Sequence, residues 1–207
     1  MPTRSELRDS THRRVLTAAD HLFRQRGFDG TTIRDIAEAS GVSVGSVMAS
    51  GDKNALLVQV FDSLIEDGHA RPAAEAGPAA EAGPAAATDP ADSCAARILQ
   101  LVQPFVTLFA ERQDLSRTYA AIQVSGRQSS PLFTQLAALL IDEIAATLAQ
   151  HGCTPLDAID GTARAIYFAY IGTLFSWSAR DTIIEAELLD SLRLTFASIC
   201  TCTERSS

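Results

Sequence analysis

Residues Thr31–Met48 read TTIRDIAEASGVSVGSVM, and this stretch decides the fold. Ile33, Ile36 and Ala37 recur at helical spacing, so its first half predicts a short helix with one apolar face. Thr32 stands where an N-cap belongs and Asp35 follows three residues later. That is a capping box, with Asp in the place usually taken by Glu or Gln. Ser40-Gly41-Val42 breaks the pattern, and Gly41 supplies the left-handed backbone that a sharp turn needs. Ser43 then caps a second short helix whose apolar contacts are Val44 and Val47. Ala37 lies four residues before Gly41 and lets the two helices approach closely at the corner. Val42 and Val47 bury the second helix against the first. Two short helices on such a turn make a helix-turn-helix, whose second helix can lie in the DNA major groove.

The flanks extend this pattern. Residues 1–9 are polar and contain Arg4 and Arg8; arms of this kind are disordered or reach phosphates or the minor groove, and plain disorder is the expectation here. A first helix follows from Ser10 to Arg26 with the apolar stripe Val15, Leu16, Ala19, Leu22 and Phe23, and Gly27 stops it. A fourth helix starts near Asp52 and ends near Gly68, carrying Leu56, Leu57, Val60, Phe61, Leu64 and Ile65 at helical spacing. The succession Leu22-Phe23, Gly27-Phe28, Thr31-Thr32-Ile33, Asp35-Ile36-Ala37, Ser40-Gly41-Val42-Ser43 resembles the N-terminal domain of the tetracycline-repressor (TetR) family of bacterial transcription regulators. The resemblance covers the first 65 residues or so; beyond them only the length and the all-helical pattern are similar.

One segment departs from the family. Relatives carry a Tyr and then an aromatic pair between Gly45 and Lys53, where this chain has Ser46-Val47-Met48-Ala49-Ser50-Gly51-Asp52 and is shorter by one residue. Met48 replaces the Tyr, which removes a phosphate hydrogen bond, and the apolar plug between the third and fourth helices is missing. Lys53, the only lysine of the chain, falls at the family's phosphate-contacting lysine.

Composition fits a soluble globular protein. The chain has 207 residues, enough to bury a core in one or two domains. Its net charge of −8 argues against coating of nucleic acid, yet residues 1–60 hold eight Arg/Lys against seven Asp/Glu. The acidic excess therefore lies away from the proposed reading head. The four cysteines are too few and too scattered for a disulfide framework and read as reduced thiols. Cys200-x-Cys202 lacks the spacing of a zinc ligand pair, so no metal site is expected. No signal-peptide core opens the chain, and the longest uncharged stretch, Ala165–Ala179, is too short to span a bilayer comfortably. A cytoplasmic protein without a membrane segment is expected.

After Ala70 the composition shifts. Residues 72–91 read PAAEAGPAAEAGPAAATDPA, where repeated Gly-Pro pairs interrupt helix and Ala offers little to bury. From Ser93 onward helical stripes return: Ile98 to Phe109, interrupted by Pro104, then 114–124, Phe133 to Leu148, 155–179 and Ile184 to Ile199. The helix at 155–179 is apolar all round and holds a stripe of small residues at Ala165, Ala169, Gly172, Thr173 and Ser176. It must be covered on more than one side. The economical solution pairs the last two helices (155–201) with their copies in a second chain as a four-helix bundle, as is usual in the family.

The division expected is a helix-turn-helix DNA-binding domain at 1–51, a connecting helix at 52–70, an Ala/Gly/Pro/Glu linker or loop at 71–92, and a helical ligand-binding and dimerisation domain at 93–207. The fold class is all-α. No Gly-rich phosphate loop, His-x-x-x-His pair or Gly-x-Ser-x-Gly elbow occurs, so no catalytic residues, no enzyme activity and no cofactor are expected. Ser43, Val44 and Ser46, on the exposed side of the recognition helix, are candidates for base edges; Thr31, Thr32 and Lys53 are candidates for phosphates, and Arg34 for either. Phe105, Phe109, Tyr119, Gln123, Phe133, Tyr167, Tyr170 and Trp177 combine large apolar bodies with polar tips and are candidates to line a small-molecule pocket. The resemblance implies a ligand-responsive homodimeric repressor that binds a near-palindromic double-stranded operator and is released by an apolar or amphipathic effector. The alternative is a DNA-independent ligand- or protein-binding dimer of the same fold, motivated by Met48 and the missing aromatics.

Overall fold

Helix formation begins at Thr3. Its hydroxyl accepts a hydrogen bond from the Glu6 N–H, and the Glu6 carboxylate accepts one from the Thr3 N–H. This capping box starts α1 (Arg4–Arg26), so residues 4–9, expected as a disordered arm, are its first turns. The signal is the pattern Thr3-x-x-Glu6, which an apolar stripe beginning only at Val15 conceals. The computed structural model describes residues 3–75, 93–126, 128 and 130–200. The segment 76–92, most of the expected linker, lies outside them.

Helices α2 (Ile33–Ser40), α3 (Val44–Ser50) and α4 (Lys53–Glu75) follow. Helix α4 runs on past Gly68, where it was expected to stop. Then come α5 (Cys94–Glu111), which continues through Pro104, α6 (Gln113–Ser125), α7 (Pro131–His151), a 3-10 turn at Leu156–Ala158, α8 (Ile159–Ser178) and α9 (Glu185–Ile199). No strand occurs among the described residues, as the all-α reading requires.

The chain gathers into two compact units. The first joins Met1–Asp67 with Arg112–Ser130. Its core is Val15, Ala19, Leu22 and Phe23 of α1, Ile36 and Ala37 of α2, Val47 of α3, Leu56, Leu57, Val60 and Phe61 of α4, and Leu115 and Tyr119 of α6. Each large apolar side chain so buried contributes about 1.5–3 kcal/mol relative to exposure. Long-range interactions bring α6 and its flanks to this unit: the Tyr119 ring stacks on Phe61 at 4.6 Å, Arg112 pairs with Asp20, and Ser130 donates to Asp62 at 2.9 Å. The division expected at residue 93 put α6 in the other domain, because its stripe alone does not say which core takes it.

The second unit joins Gly68–Glu111 with Pro131–Ser207. Helix α5 packs against α9 and α7, and α8 packs against α7 and α9. Ile98, Val102 and Val106 of α5, Ile144 and Leu148 of α7, Ile166 and Leu174 of α8, and Leu188, Leu192 and Phe196 of α9 fill the interior. Thr107 of α5 donates to Glu185 at the start of α9 at 2.6 Å. One face of α8 is not covered within the described residues. Phe168 is 65% exposed, Ala165 and Ser176 are exposed beside it, and a Cβ at Gly172 would meet no atom within 4 Å. Leu194 of α9 is 62% exposed.

Candidate nucleic-acid interface

The turn between α2 and α3 is built by local hydrogen bonds. The Thr32 N–H and hydroxyl both donate to Asp35, at 2.8 and 2.7 Å, and the Asp35 N–H donates to the Thr32 hydroxyl. The two bonds the carboxylate accepts, the Thr32 hydroxyl's first and then the Thr32 N–H's, lower the Asp35 carboxyl below its ordinary range and keep a negative charge at the positive end of α2. Gly41 takes φ +64°, and its N–H bonds back to the Glu38 carbonyl, closing α2. The Arg14 guanidinium of α1 donates to the carbonyls of Ser40 and Gly41, which holds the turn against the first helix. That role of Arg14 was not visible in the sequence, because it spans 26 residues.

Helix α3 is held by one buried side chain, Val47, and capped by Ser43, whose hydroxyl accepts from the Ser46 N–H at 3.1 Å. The Ser43 and Ser46 hydroxyls also bond to each other at 2.9 Å. Val44 is 44% exposed and Met48 52% exposed, one turn apart, with Gly45 and Ala49 exposed beside them. Val44 was expected both as an apolar contact and as a base-edge candidate; it faces outward. The exposed ridge of α3 is thus an apolar strip beside a pair of hydroxyls.

No aromatic plug fills the space between α3 and α4, and close approach replaces it. Gly51 has φ +146°, and a Cβ there would lie 2.8 Å from the Ala55 Cβ. The Gln59 amide donates to the Ser50 carbonyl at 3.0 Å and satisfies the end of α3. A side chain at 51 would force these elements apart.

The expected phosphate donors are occupied within the fold. Thr31 is fully buried, its hydroxyl donating to the carbonyls of Gly27 and Leu22, so it closes the end of α1 and does not face solvent. This corrects the expectation that its side chain reaches a phosphate. The reason is tertiary: the Thr31 side chain plugs the corner that α1 makes with α2. Thr32 is exposed, with its hydroxyl proton committed to Asp35. The Lys53 ammonium donates to the carbonyls of Phe28 and Thr31, at 3.0 and 3.1 Å, and lies 4.2 Å over the Phe28 ring. It clamps the start of α4 to the α1–α2 loop and keeps one of its three N–H bonds uncommitted. Arg34 is exposed and makes no ion pair or hydrogen bond among the described residues.

Other basic residues stand beside α3. The early turns of α1 bring Arg4, Arg8 and His12, each one turn from the next, to a groove whose far wall is Ser46, Ala49 and Ser50 of α3. Arg4 and Arg8 were expected on a disordered arm; the capping box makes their spacing meaningful. A second groove holds Arg13, Arg14 and His21 of α1 against Ala39 and Ser40 of α2.

The candidate ligand residues divide between the units. Phe105 and Phe109 of α5 and Tyr167, Tyr170 and Trp177 of α8 are all buried in the second unit. Burial pushes the Tyr167 hydroxyl up from its ordinary range. The Arg180 guanidinium lies 3.9 Å over the Trp177 ring. Tyr119 and Gln123 belong to the first unit, where the Gln123 side-chain nitrogen is buried with no hydrogen-bond partner among the described residues. The Phe133 side chain lies outside the described residues.

Residues 15–60 match the family described as bacterial regulatory proteins, tetR family. No curated protein matches the chain. Among solved structures, a TetR transcriptional regulator from Rhodococcus sp. RHA1 is similar with a TM-score of 0.63 and 17% identity, over 92% of this chain and 95% of its own. Thermus thermophilus FadR, a TetR-family transcriptional repressor solved in complex with lauroyl-CoA, is similar with a TM-score of 0.58 and 22% identity, over 95% of this chain and 98% of its own. A TetR-family transcriptional regulator from Mesorhizobium loti MAFF303099 gives 0.57 and 17%, over 96% and 97%. At these identities the likeness is one of fold.

Proposed function

Since the chain belongs to the tetR family through residues 15–60 and shares the all-α fold of its solved relatives, we propose that it is a ligand-responsive, homodimeric transcriptional repressor. The observation that carries this reading is the head itself: α3 is capped, buries only the Val47 side chain, and leaves Val44, Gly45, Met48 and Ala49 exposed beside the Arg4–Arg8–His12 stripe. Two such heads would read successive major grooves of a near-palindromic operator. Val44 and Met48 suit thymine methyl groups, and Ser43 and Ser46 suit base-edge polar atoms. Arg4, Arg8, Arg34 and the third N–H of Lys53 supply phosphate contacts.

Dimerisation through α8 and α9 accounts for the uncovered Phe168, Gly172 and Leu194, since apolar area of this kind is stabilised by burial against a second copy. The effector is an apolar or amphipathic molecule received among the buried aromatics of α5 and α8. The acyl-CoA bound by the Thermus relative belongs to that chemical class. Binding would favour a conformation with the wrong head spacing and release DNA by population shift. None of the helices among the described residues is long and apolar enough to cross a membrane, in keeping with a cytoplasmic regulator.

A second reading is favoured by one specific observation. Thr31 and Thr32 spend their hydroxyl protons inside the fold, and Met48 cannot donate to a phosphate. A dimer of this fold that binds ligand or protein without DNA has the same appearance. Titration of the protein into its own upstream DNA and into random DNA, over a series of salt concentrations, separates the two. Preference for the upstream DNA is expected; equal, weak binding to both would replace the repressor with the DNA-independent dimer.

A further inference from the structure

The cysteines are scattered along the sequence, yet the fold gathers two of them with a histidine. Cys94 opens α5, His151 closes α7, and Cys153 lies two residues beyond. The two Sγ atoms are 3.6 Å apart, and each can be matched with a ring nitrogen of His151 so that all three ligand atoms lie within 4.8 Å of one another. The cluster lies wholly in the second unit. Cys94 is fully buried, while Cys153 and His151 are half-buried, so the site has a dry floor and an open side.

We propose that Cys94, His151 and Cys153 form a zinc site. The geometry points to a metal. A disulfide needs its sulfurs ~2.05 Å apart. Two thiolates on one tetrahedral zinc, each at ~2.3 Å, stand ~3.8 Å from each other. The observed 3.6 Å is the contact of two free thiols, too long for a disulfide and close to the spacing that zinc requires, so that with the imidazole beside them the thiols need little movement to take the metal. The donor set agrees: two thiolates and an imidazole are the soft and borderline ligands that zinc takes, and hard cations such as magnesium or calcium do not. Charge balances as well. Each thiol releases one proton to solvent on binding, the imidazole binds neutral, and two thiolates cancel the charge of Zn²⁺, which suits a site with one fully buried ligand. Thr154 is buried with its hydroxyl 3.8 Å from the Cys153 sulfur, placed to donate to that thiolate and steady it. Three protein ligands leave the fourth position, on the open side, to water. Bound zinc would tie the start of α5 to the end of α7.

The test uses the full chain, reduced and stripped of metal. Cobalt(II) alone is titrated first, as a coloured probe, and zinc then displaces it. One cobalt per chain, with the sulfur-to-cobalt charge-transfer band and the visible bands of a tetrahedral site, is expected, along with a melting temperature raised by zinc. Cys153→Ser should weaken zinc by more than the ~10–100-fold lost when a residue that only supports a ligand is changed, and His151→Gln should shift the visible bands. The double variant Cys200→Ser/Cys202→Ser should bind as the wild type does. Because Cys94 is buried, Cys94→Ser is read only if its helical circular dichroism is retained; Cys153→Ser, half-buried, carries the test in either case. Absence of the sulfur–cobalt band in the wild type, or its survival in Cys153→Ser with loss in the Cys200/Cys202 variant, overturns the proposal. So does a reduced protein that binds no zinc and yields a Cys94–Cys153 disulfide on mild oxidation, since that pair is a redox couple and not a metal site.

Discussion

Replacing Lys53 with methionine keeps the unbranched stem and removes the ammonium. The structure assigns that ammonium two hydrogen bonds, to the Phe28 and Thr31 carbonyls at 3.0 and 3.1 Å, and a position 4.2 Å over the Phe28 ring. Lys53 is half-buried and the two carbonyls can regain water when the ammonium is gone. Each bond is therefore taken near the middle of the ordinary net range, about 1 kcal/mol. The cation–ring attraction adds about 0.5 kcal/mol at such a site. Since one atom makes all three interactions, they do not add in full, and Lys53→Met should destabilise the protein by about 2 kcal/mol. For a chain of this length that lowers the melting temperature by roughly 4–8 °C. The third N–H makes a separate prediction: the slope of log affinity for DNA against log salt should fall by about one for each phosphate no longer neutralised, hence about two per dimer. Urea unfolding and a salt series of DNA titrations, on the same preparation in the cold, read the two effects independently. A variant that unfolds at the wild-type urea midpoint would refute the clamp. A destabilised variant with an unchanged salt slope would refute only the phosphate pairing.

Gly172→Leu should leave the isolated chain folded, because a Cβ there meets nothing within 4 Å, while overpacking a dimer interface by about 1–3 kcal/mol or more; sedimentation should show a wild-type dimer shifted toward monomer, and an unshifted variant would move the interface elsewhere. Gly51→Ala should cost about 1–3 kcal/mol in stability, from a positive φ and a Cβ 2.8 Å from that of Ala55, and a wild-type melting curve would contradict the close approach of α3 and α4. Asp62 is half-buried, and burial above all raises its carboxyl from 3.8 to about 6, against the opposing pull of the Ser130 hydrogen bond and with help from the Glu66 charge. The folded chain therefore holds this proton more tightly than the unfolded one, so the contribution is full below pH 3.8 and is lost as pH rises through 6. Allowing for solvent screening of a half-exposed group, the loss is about 1 kcal/mol; Asp62→Asn should flatten stability between about pH 4 and 7 by that amount, and an unchanged pH slope would assign the effect to another group.

The features legible in the chain alone are those whose partners are near in sequence. The Thr32–Asp35 box, the Gly41 turn and the Ser43 cap all close within a few residues. Their backbone hydrogen bonds have the same partners in any fold, so residue type and spacing are enough to read them. The stripes of α1, α4, α5 and α9 were legible for a similar reason, since helical periodicity marks the face that must be buried whatever covers it. The Thr3–Glu6 box was equally local and was missed only because the apolar stripe starts later.

Tertiary packing settled which core or partner takes each side chain. Thr31 has the composition of a surface residue, yet it is fully buried where α1 meets α2. Lys53 reaches back 25 residues to the Phe28 carbonyl, Tyr119 leaves the helices that surround it in sequence to stack on Phe61, and Cys153 meets Cys94 across 59 residues. A buried polar or charged group must find a partner, but no local rule names it. Only the assembly of distant helices brings it within reach, which is why the helix-turn-helix could be located from one short stretch while the Lys53 clamp, the groove between α1 and α3 and the thiol–imidazole cluster could not.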